Sequence, residues 1–241
     1  MLLKSIDPFG LALEEYCKGN KQAKVIFHRD DGIKDDYYVS HCFRSEKEFN
    51  PIEKLAVSLC YGKVLDIGAG VGPHSLELQK KGLQVLAIDI SSHACKIMKE
   101  RGIKNVKCLT VYDIDESDFD TILLMGRAIG FVEDLIGLNK FLEHCKHLLK
   151  QKGQILLDSL DVRVTTVPEH LAYQERNRQL GRYIGVVGLQ MEYKGIFGEK
   201  FKLLHIDPNT LNNCAYKVGW SCEIIYKEEN GDYLAKIFTQ Y

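Results

Sequence analysis

The sequence predicts a three-layer α/β fold: a mostly parallel sheet with helices on both faces and an antiparallel hairpin at its C-terminal end. Three observations carry this reading. From Gly62 onward, strand-like and helical runs alternate regularly as far as residue 159. The first of those strands breaks straight into three glycines, Gly68, Gly70 and Gly72. Near the end, runs at 216–226 and 232–240 flank Asn230-Gly231, a dipeptide suited to a tight hairpin turn.

Each element follows from its local pattern. Residues 1–19 read as a short helix ended by Gly19, and residues 24–44 as extended segments or a hairpin around Asp31-Gly32. Asn50–Tyr61 is a helical run with Pro51 in its first turn, a favoured place for proline. Strands follow at 63–67, 84–89, 106–110, 120–125 and 153–159, with helices at 73–81, 92–101 and 133–150 between them. Residues 160–208 leave the alternation: a polar helix over Pro168–Leu180, then runs at 186–194 and 201–206 separated by Gly195 and Gly198. That stretch reads as an inserted helix plus hairpin near the carboxyl ends of the strands.

Composition narrows the function. At 241 residues, 45% hydrophobic and 27% charged, the chain has the make-up of an ordinary globular protein. A formal net charge of −1 supplies no overall attraction to nucleic acid or to an anionic membrane. No run reaches the length of a transmembrane span, and residues 1–13 carry Asp7 and Pro8 where a signal peptide needs an apolar stretch. The eight cysteines contain no C-x-x-C pair, so reduced thiols in a cytoplasmic setting are expected. His144 and His147 share a helix face, but two ligands do not close a zinc site, and no metal is expected.

The most informative stretch is 64–72, Val-Leu-Asp-Ile-Gly-Ala-Gly-Val-Gly. A buried strand that breaks into glycines ahead of a helix lets the backbone approach a ligand, with free helix N–H groups aimed at it. Dinucleotide folds place their third glycine or an alanine five positions after the first. Here Gly72 comes after four, and the fifth position is Pro73. With Asp66 two residues ahead of Gly68, the arrangement resembles the first motif of S-adenosylmethionine-dependent methyltransferases of the Rossmann-like class. Five parallel strands followed by an antiparallel hairpin is also what that class has and a plain dinucleotide fold lacks.

The resemblance implies a Rossmann-like methyltransferase fold with a seven-stranded sheet, and S-adenosylmethionine as cofactor. It covers residues 62–160 well and the terminal hairpin more loosely. The expected organisation is one domain over 1–241. It comprises an N-terminal lid (1–50), a cofactor-binding core (62–160), an inserted substrate cap (160–208) and a terminal helix and hairpin (209–241).

Cofactor residues follow from the motif. Asp66 fixes the loop of Gly68, Ala69, Gly70 and Gly72, accepts the cofactor's amino group, or does both. Asp89 ends the second strand nineteen residues beyond Gly70, where a carboxylate matches the two hydroxyls of a ribose; Ile90 follows it. By resemblance, Asp113 meets the adenine amino group and the Ile114 N–H a ring nitrogen, with Asp115 the competing acid. Phe119–Gly126 is similar to the family's fourth motif, which implies that Met125 and Gly126 lie beside the sulfonium and the transferred methyl.

The acceptor is read less directly. The Asn/Asp-Pro-Pro-Tyr signature of nucleic-acid amino methylators is absent after the fourth strand, and no Pro-Cys nucleophile occurs anywhere. The loop 126–131 instead resembles the small-molecule branch, including enzymes of the ubiquinone and menaquinone methylation type. Arg44, Arg178, Arg182 and Tyr183 are candidates to bind an anionic acceptor, against the plainer reading of the insertion's arginines as a solvated helix face. Catalytic candidates are Arg127 on the cofactor-facing loop, His41 as a general base, and Asp158 and Asp161 just past the fifth strand. The alternatives are an RNA or protein methyltransferase, or a catalytically silent subunit that binds S-adenosylmethionine.

Overall fold

The structure, a computed structural model, describes residues 2–239. The N-terminal part holds α1 (Leu2–Cys17), β1 (Lys24–Arg29), β2 (Lys34–Tyr38) and α2 (Pro51–Leu59). The alternating part follows as β3 (Lys63–Ile67), α3 (Pro73–Lys80), β4 (Gln84–Asp89), α4 (Ser92–Glu100), β5 (Val106–Cys108), β6 (Phe119–Leu124), α5 (Leu135–Leu148) and β7 (Leu149–Leu160). Then come α6 (Pro168–Gln179), β8 (Val186–Tyr193), β9 (Ile196–Phe197), β10 (Phe201–Leu204), α7 (Pro208–Lys217), β11 (Ser221–Lys227) and β12 (Asp232–Phe238). Among the described residues, no helix is long and apolar enough to cross a membrane.

Seven strands form a mixed sheet in the order β11-β12-β7-β6-β3-β4-β5. Pairs β3–β4, β4–β5 and β6–β7 are parallel, while β12 runs antiparallel to both β7 and β11. The α/β expectation with an antiparallel C-terminal hairpin is therefore met.

The chain divides into two units, residues 1–115 with 188–201 and residues 116–187 with 202–241. In the first, β3 and β4 are apolar on both sides and buried along nearly their whole length, as parallel strands between helix layers must be. Asn50 caps α2 by accepting from Glu53 N, and Glu53 reaches back to Asn50 N, a reciprocal box that fixes where that helix starts. A further cluster joins Leu13, Val25, Val39, Val71, Ile97 and Tyr193, so α1 and α4 share a core with β1 and β8.

In the second unit, β6, β7 and β12 bury Ile122, Leu123, Leu156, Leu157, Leu234 and Ala235 completely. Asp134 caps α5 by accepting from Ile136 N and Gly137 N.

Three features differ from the sequence reading. Leu149 and Lys150 belong to strand β7, which starts there, rather than to the preceding helix. Leu149 pairs with Phe119, and the Lys150 ammonium binds the Asp120 carboxylate across the strands. Tyr216 and Lys217 end helix α7 instead of opening the hairpin, because Asp207-Pro208 starts a capped helix that runs through them.

The third difference is a second sheet, ordered β10-β8-β1-β2 with β9 on β8. Within the first unit, β1 pairs antiparallel with β2 and with β8, placing Ile26 opposite Glu192. The hairpin in the insertion is formed by β8 and β9. Nothing local in either segment announces a pairing between residues more than 160 positions apart.

Candidate functional site

Within the first unit, the ends of β3, β4 and β5 assemble one polar surface. Strand β3 ends at Ile67, and the chain turns through Gly68, Gly70 and Gly72, all at positive φ (68, 58 and 75°). That backbone favours glycine three times over. Gly72 also lies against Ile103 and Met98, where any Cβ would collide, whereas a Cβ on Gly70 would meet nothing within 4 Å. One glycine is required by packing, and the other leaves open room beside the backbone.

Arg101 Nη1 donates to Val71 O at 2.6 Å and pins the loop from α4's end. The Gly68 and Ala69 N–H groups both reach Ile88 O, so the loop folds back over β4.

Two acids govern this surface, Asp66 fully buried and Asp89 half-buried at the strand end. Asp66 accepts from Ser75 Oγ at 2.6 Å, which ties the start of α3 to the strand below it. Burial raises its carboxyl above the usual carboxylate range. Asp89 accepts from Gly70 N at 2.9 Å on one oxygen and from Ser91 N at 2.8 Å on the other. Burial pushes the Asp89 carboxyl up to about 6 despite those donors, and the like charge of Asp66 adds to the rise. An ionised carboxylate offers about four acceptor positions, so the chain leaves capacity on both oxygens for further donors.

Around the rim, Ile90 continues from Asp89, and its carbonyl accepts from Cys108 Sγ at 3.6 Å. Asp113 sits exposed in a short 3-10 turn after β5 and accepts from Thr110 Oγ1 at 2.6 Å, with Ile114 the next residue. Asp115 is exposed and bound by Lys107 at 2.9 Å, which holds its carboxyl low.

A second polar assembly, not singled out from sequence, supports the glycine loop. The buried Glu53 carboxylate accepts both Arg44 terminal nitrogens (2.9 and 2.8 Å), Asn50 N (2.9 Å) and pairs with His74 Nε2 (2.9 Å). Burial alone would raise Glu53, but His74, the Asn50 N–H and Arg44 outweigh it and hold the carboxyl low. His74 is the second residue of α3, so this network fixes the helix that follows the glycines. The Arg44 guanidinium is thereby engaged with Glu53, and its Nε donates to His41 O at 2.8 Å. His41 itself is exposed, with its ring edge-on to Tyr37 at 5.6 Å.

In the second unit, the residues after β6 and β7 form another polar cluster. Met125 is buried, and Gly126 has φ of 70° with nothing within 4 Å of its Cβ position. Arg127 is also left-handed, with φ of 60°, a costly backbone for a long side chain. It is held there at both ends. Its N–H donates to Asp158 Oδ1 at 2.8 Å, and its guanidinium grips Asp232 Oδ1 through Nη2 (2.6 Å) and Nε (3.1 Å). The Arg127 cation thus has its partner in Asp232, a residue the sequence reading did not single out.

Asp161 is buried beneath Arg163 (2.8 Å) and Lys227 (3.3 Å), which keep its carboxyl low. Arg163 also reaches Asp207 at 3.0 Å, and Asp207 accepts from Tyr183 OH at 2.7 Å. Burial, with Asp207 alongside, pushes the Tyr183 phenol well up. Arg178 pairs with Glu175 on the exposed side of α6, and Arg182 is exposed in the turn that follows. The structure thus brings Arg127 and Asp158 together, gathers Asp161 and Tyr183 around Asp207, and leaves Arg178 and Arg182 on the surface. His205, half-buried in the segment before α7, feels the charges of Arg127 and Asp232 and had no sequence signal beyond its place in a strand-like run.

The comparisons with known proteins bear on the same regions. Residues 64–153 match a family model described as a methyltransferase domain. Among solved structures, the chain is 30% identical to a SAM-dependent methyltransferase from Bacteroides fragilis, determined in complex with S-adenosyl-L-homocysteine. That likeness covers 99% of this chain and 97% of the other, with a TM-score of 0.86. A ubiquinone biosynthesis O-methyltransferase from Bradyrhizobium diazoefficiens is 32% identical over 110 residues, 42% of each chain. One from Pasteurella multocida is 28% identical over 137 residues, 49% of this chain and 57% of the other. The chain therefore spans about half the length of the curated relatives it matches.

Proposed function

Since this chain belongs to the S-adenosylmethionine-dependent methyltransferases, we propose that it transfers the cofactor's methyl group to a hydroxyl of a small-molecule acceptor. The cofactor supplies a methyl carbon bound to a positively charged sulfur, already activated for displacement. The protein's part is to bind, align and keep water away, worth roughly 7–11 kcal/mol in well-oriented systems.

The observation that carries the cofactor reading is Asp89. Its half-buried carboxylate is raised to about 6 and held by two backbone N–H groups, with acceptor capacity left on both oxygens. The two hydroxyls of a ribose are the donors that fit it. Gly68, Ala69, Gly70 and Gly72 give the open backbone beside it, Asp66 anchors that backbone through Ser75, and Ile90 borders the ribose. Asp113 and Ile114 take the adenine end, while Met125 and Gly126 flank the methyl group.

Arg127, Asp158 and Asp161 belong to the acceptor side, and Arg127 acts from a fixed position on Asp232. His41 and Arg44 shape the N-terminal segment over the cofactor, whereas Arg178, Arg182 and Tyr183 border the acceptor's entry. Residues 1–50 and 160–208 serve as lid and cap. An oxygen acceptor is favoured by the two O-methyltransferase relatives. All eight cysteines are free thiols, which suits a cytoplasmic setting.

The test is incubation of the protein with S-adenosylmethionine carrying a labelled methyl, a metabolite extract and a panel of hydroxylated aromatic compounds, followed by mass spectrometry. The expected result is label in a small hydroxylated product. Label confined to RNA or protein would overturn the acceptor class.

A further inference from the structure

We propose that the His205 imidazole is the group of the acceptor site that receives the hydrogen bond, and then the proton, of the hydroxyl to be methylated. This rests on the proposed methyl transfer, in which the methyl lies beside Met125 and Gly126, and it adds a base that the sequence did not reveal.

The first observation is an unpaired nitrogen. His205 Nδ1 is buried and has no hydrogen-bond partner among the described residues, a costly arrangement unless something else completes it. The second is that the backbone segment carrying this side chain is held by construction. Leu203 packs against Gly130, on the loop that follows Arg127, where a Cβ would strike it. His205 N donates to Gly185 O at 2.8 Å, and Gly185 must be glycine because a Cβ there would meet the His205 carbonyl. Ile206 N donates to Ser159 Oγ on β7 at 3.1 Å, and Ile206 O accepts from Tyr233 OH on β12 at 2.6 Å. Asp207 then caps α7. The segment 203–207 is fastened to β7, β12 and the loop after β6, at the carboxyl ends of β6 and β7, where ligands bind in open α/β sheets.

The third observation is charge state. Burial, and then the Arg127 guanidinium, lower the His205 imidazole to about 4, with Asp232 opposing the shift. The ring is therefore neutral near pH 7 and free to accept a proton. In the transfer, the acceptor's O–H bond breaks and its proton passes to the imidazole. The acceptor oxygen's electron pair forms the new bond to the methyl carbon as the carbon–sulfur bond breaks and leaves its pair on sulfur. The positive charge moves from sulfur to the imidazolium. Negative charge developing on the acceptor oxygen raises the ring's proton affinity as the step proceeds, and Asp232 favours the imidazolium that results.

The experiment uses the full chain, labelled with 15N-histidine and saturated with S-adenosylhomocysteine. Phenol and catechol are the hydroxyl probes, aniline is the amine control, and His205→Gln assigns the ring resonances. Both hydroxyl probes are expected to shift the His205 ring nitrogens and raise its pKa from about 4, while aniline leaves them in place. His205→Gln and His205→Asn should keep the wild-type affinity for S-adenosylhomocysteine, which certifies their fold, and should slow methylation of catechol by about 100-fold or more. A His205 ring that responds to no probe, as when Nδ1 only holds a water, overturns the assignment. So does an equal response to aniline, or a His205→Gln variant with full turnover. Failure of S-adenosylhomocysteine to bind the wild type overturns the underlying methyl-transfer reading instead.

Discussion

Burial and the neighbouring Asp66 raise the Asp89 carboxyl to about 6, and a ribose would supply the donors that the ionised form lacks. Two consequences follow at the scale of the residue. The ionised form is the one that binds, so affinity for S-adenosylhomocysteine should fall by about tenfold for each pH unit below about 6. Asp89→Asn removes charge-assisted hydrogen bonds worth about 2 kcal/mol and should weaken binding about 30-fold or more near neutral pH. It should also abolish the acid-side dependence attributed to this carboxyl, because the titrating group is gone. Calorimetric titrations at several pH values on both proteins check this, and an unchanged pH profile in Asp89→Asn would assign the dependence elsewhere. Asp89 was legible because strand, acid and spacing from Gly70 lie within one short stretch. His205 was not: its significance comes from Gly185, Ser159 and Tyr233, none of which is its sequence neighbour.

Among the elements, α3 depends on a connection the motif does not contain. Its first turn carries His74, which meets Glu53 of α2, and Glu53 holds Arg44 from the preceding segment. Truncation by Glu53→Ala leaves Arg44 and His74 without their carboxylate. Because Arg44 is partly exposed, the cost should sit near the low end for a broken buried pair, about 3 kcal/mol. Urea denaturation reads that loss directly, and affinity for S-adenosylhomocysteine should drop with it because the helix behind the glycine loop loses its support. The sign with pH follows from the lowered Glu53 carboxyl: its contribution is present above the unfolded value and disappears as pH falls through the folded one. Wild type and Glu53→Ala should therefore converge in stability under acid. A Glu53→Ala protein as stable as wild type near neutral pH would show that the network is not structural. The sequence announced Asn50 and Pro51 as a helix start, but not that Glu53, three residues on, would reach across to α3.

For the molecule as a whole, legibility follows contiguity. The parallel strands and the terminal hairpin were readable because each has its own local period and its own turn residues. The second sheet was not, since β1 and β8 pair residues about 160 positions apart and neither segment names its partner. The same division separates the residues proposed for the cofactor from those proposed for the acceptor. The residues around Asp89 come from one short stretch of sequence, whereas Arg127, Asp158, His205 and Asp232 are gathered from four separated segments.

The central claim is that the surface around Asp89 and Gly70 is built for the ribose of S-adenosylmethionine and not for a dinucleotide. Calorimetric titration of the wild-type chain near neutral pH, with S-adenosylhomocysteine and with NAD in parallel, tests it most directly. The account predicts saturable binding of S-adenosylhomocysteine at one site per chain and no binding of NAD. Absence of S-adenosylhomocysteine binding at about 1 mM ligand, where even a weak −4 kcal/mol interaction is half saturated, would contradict it.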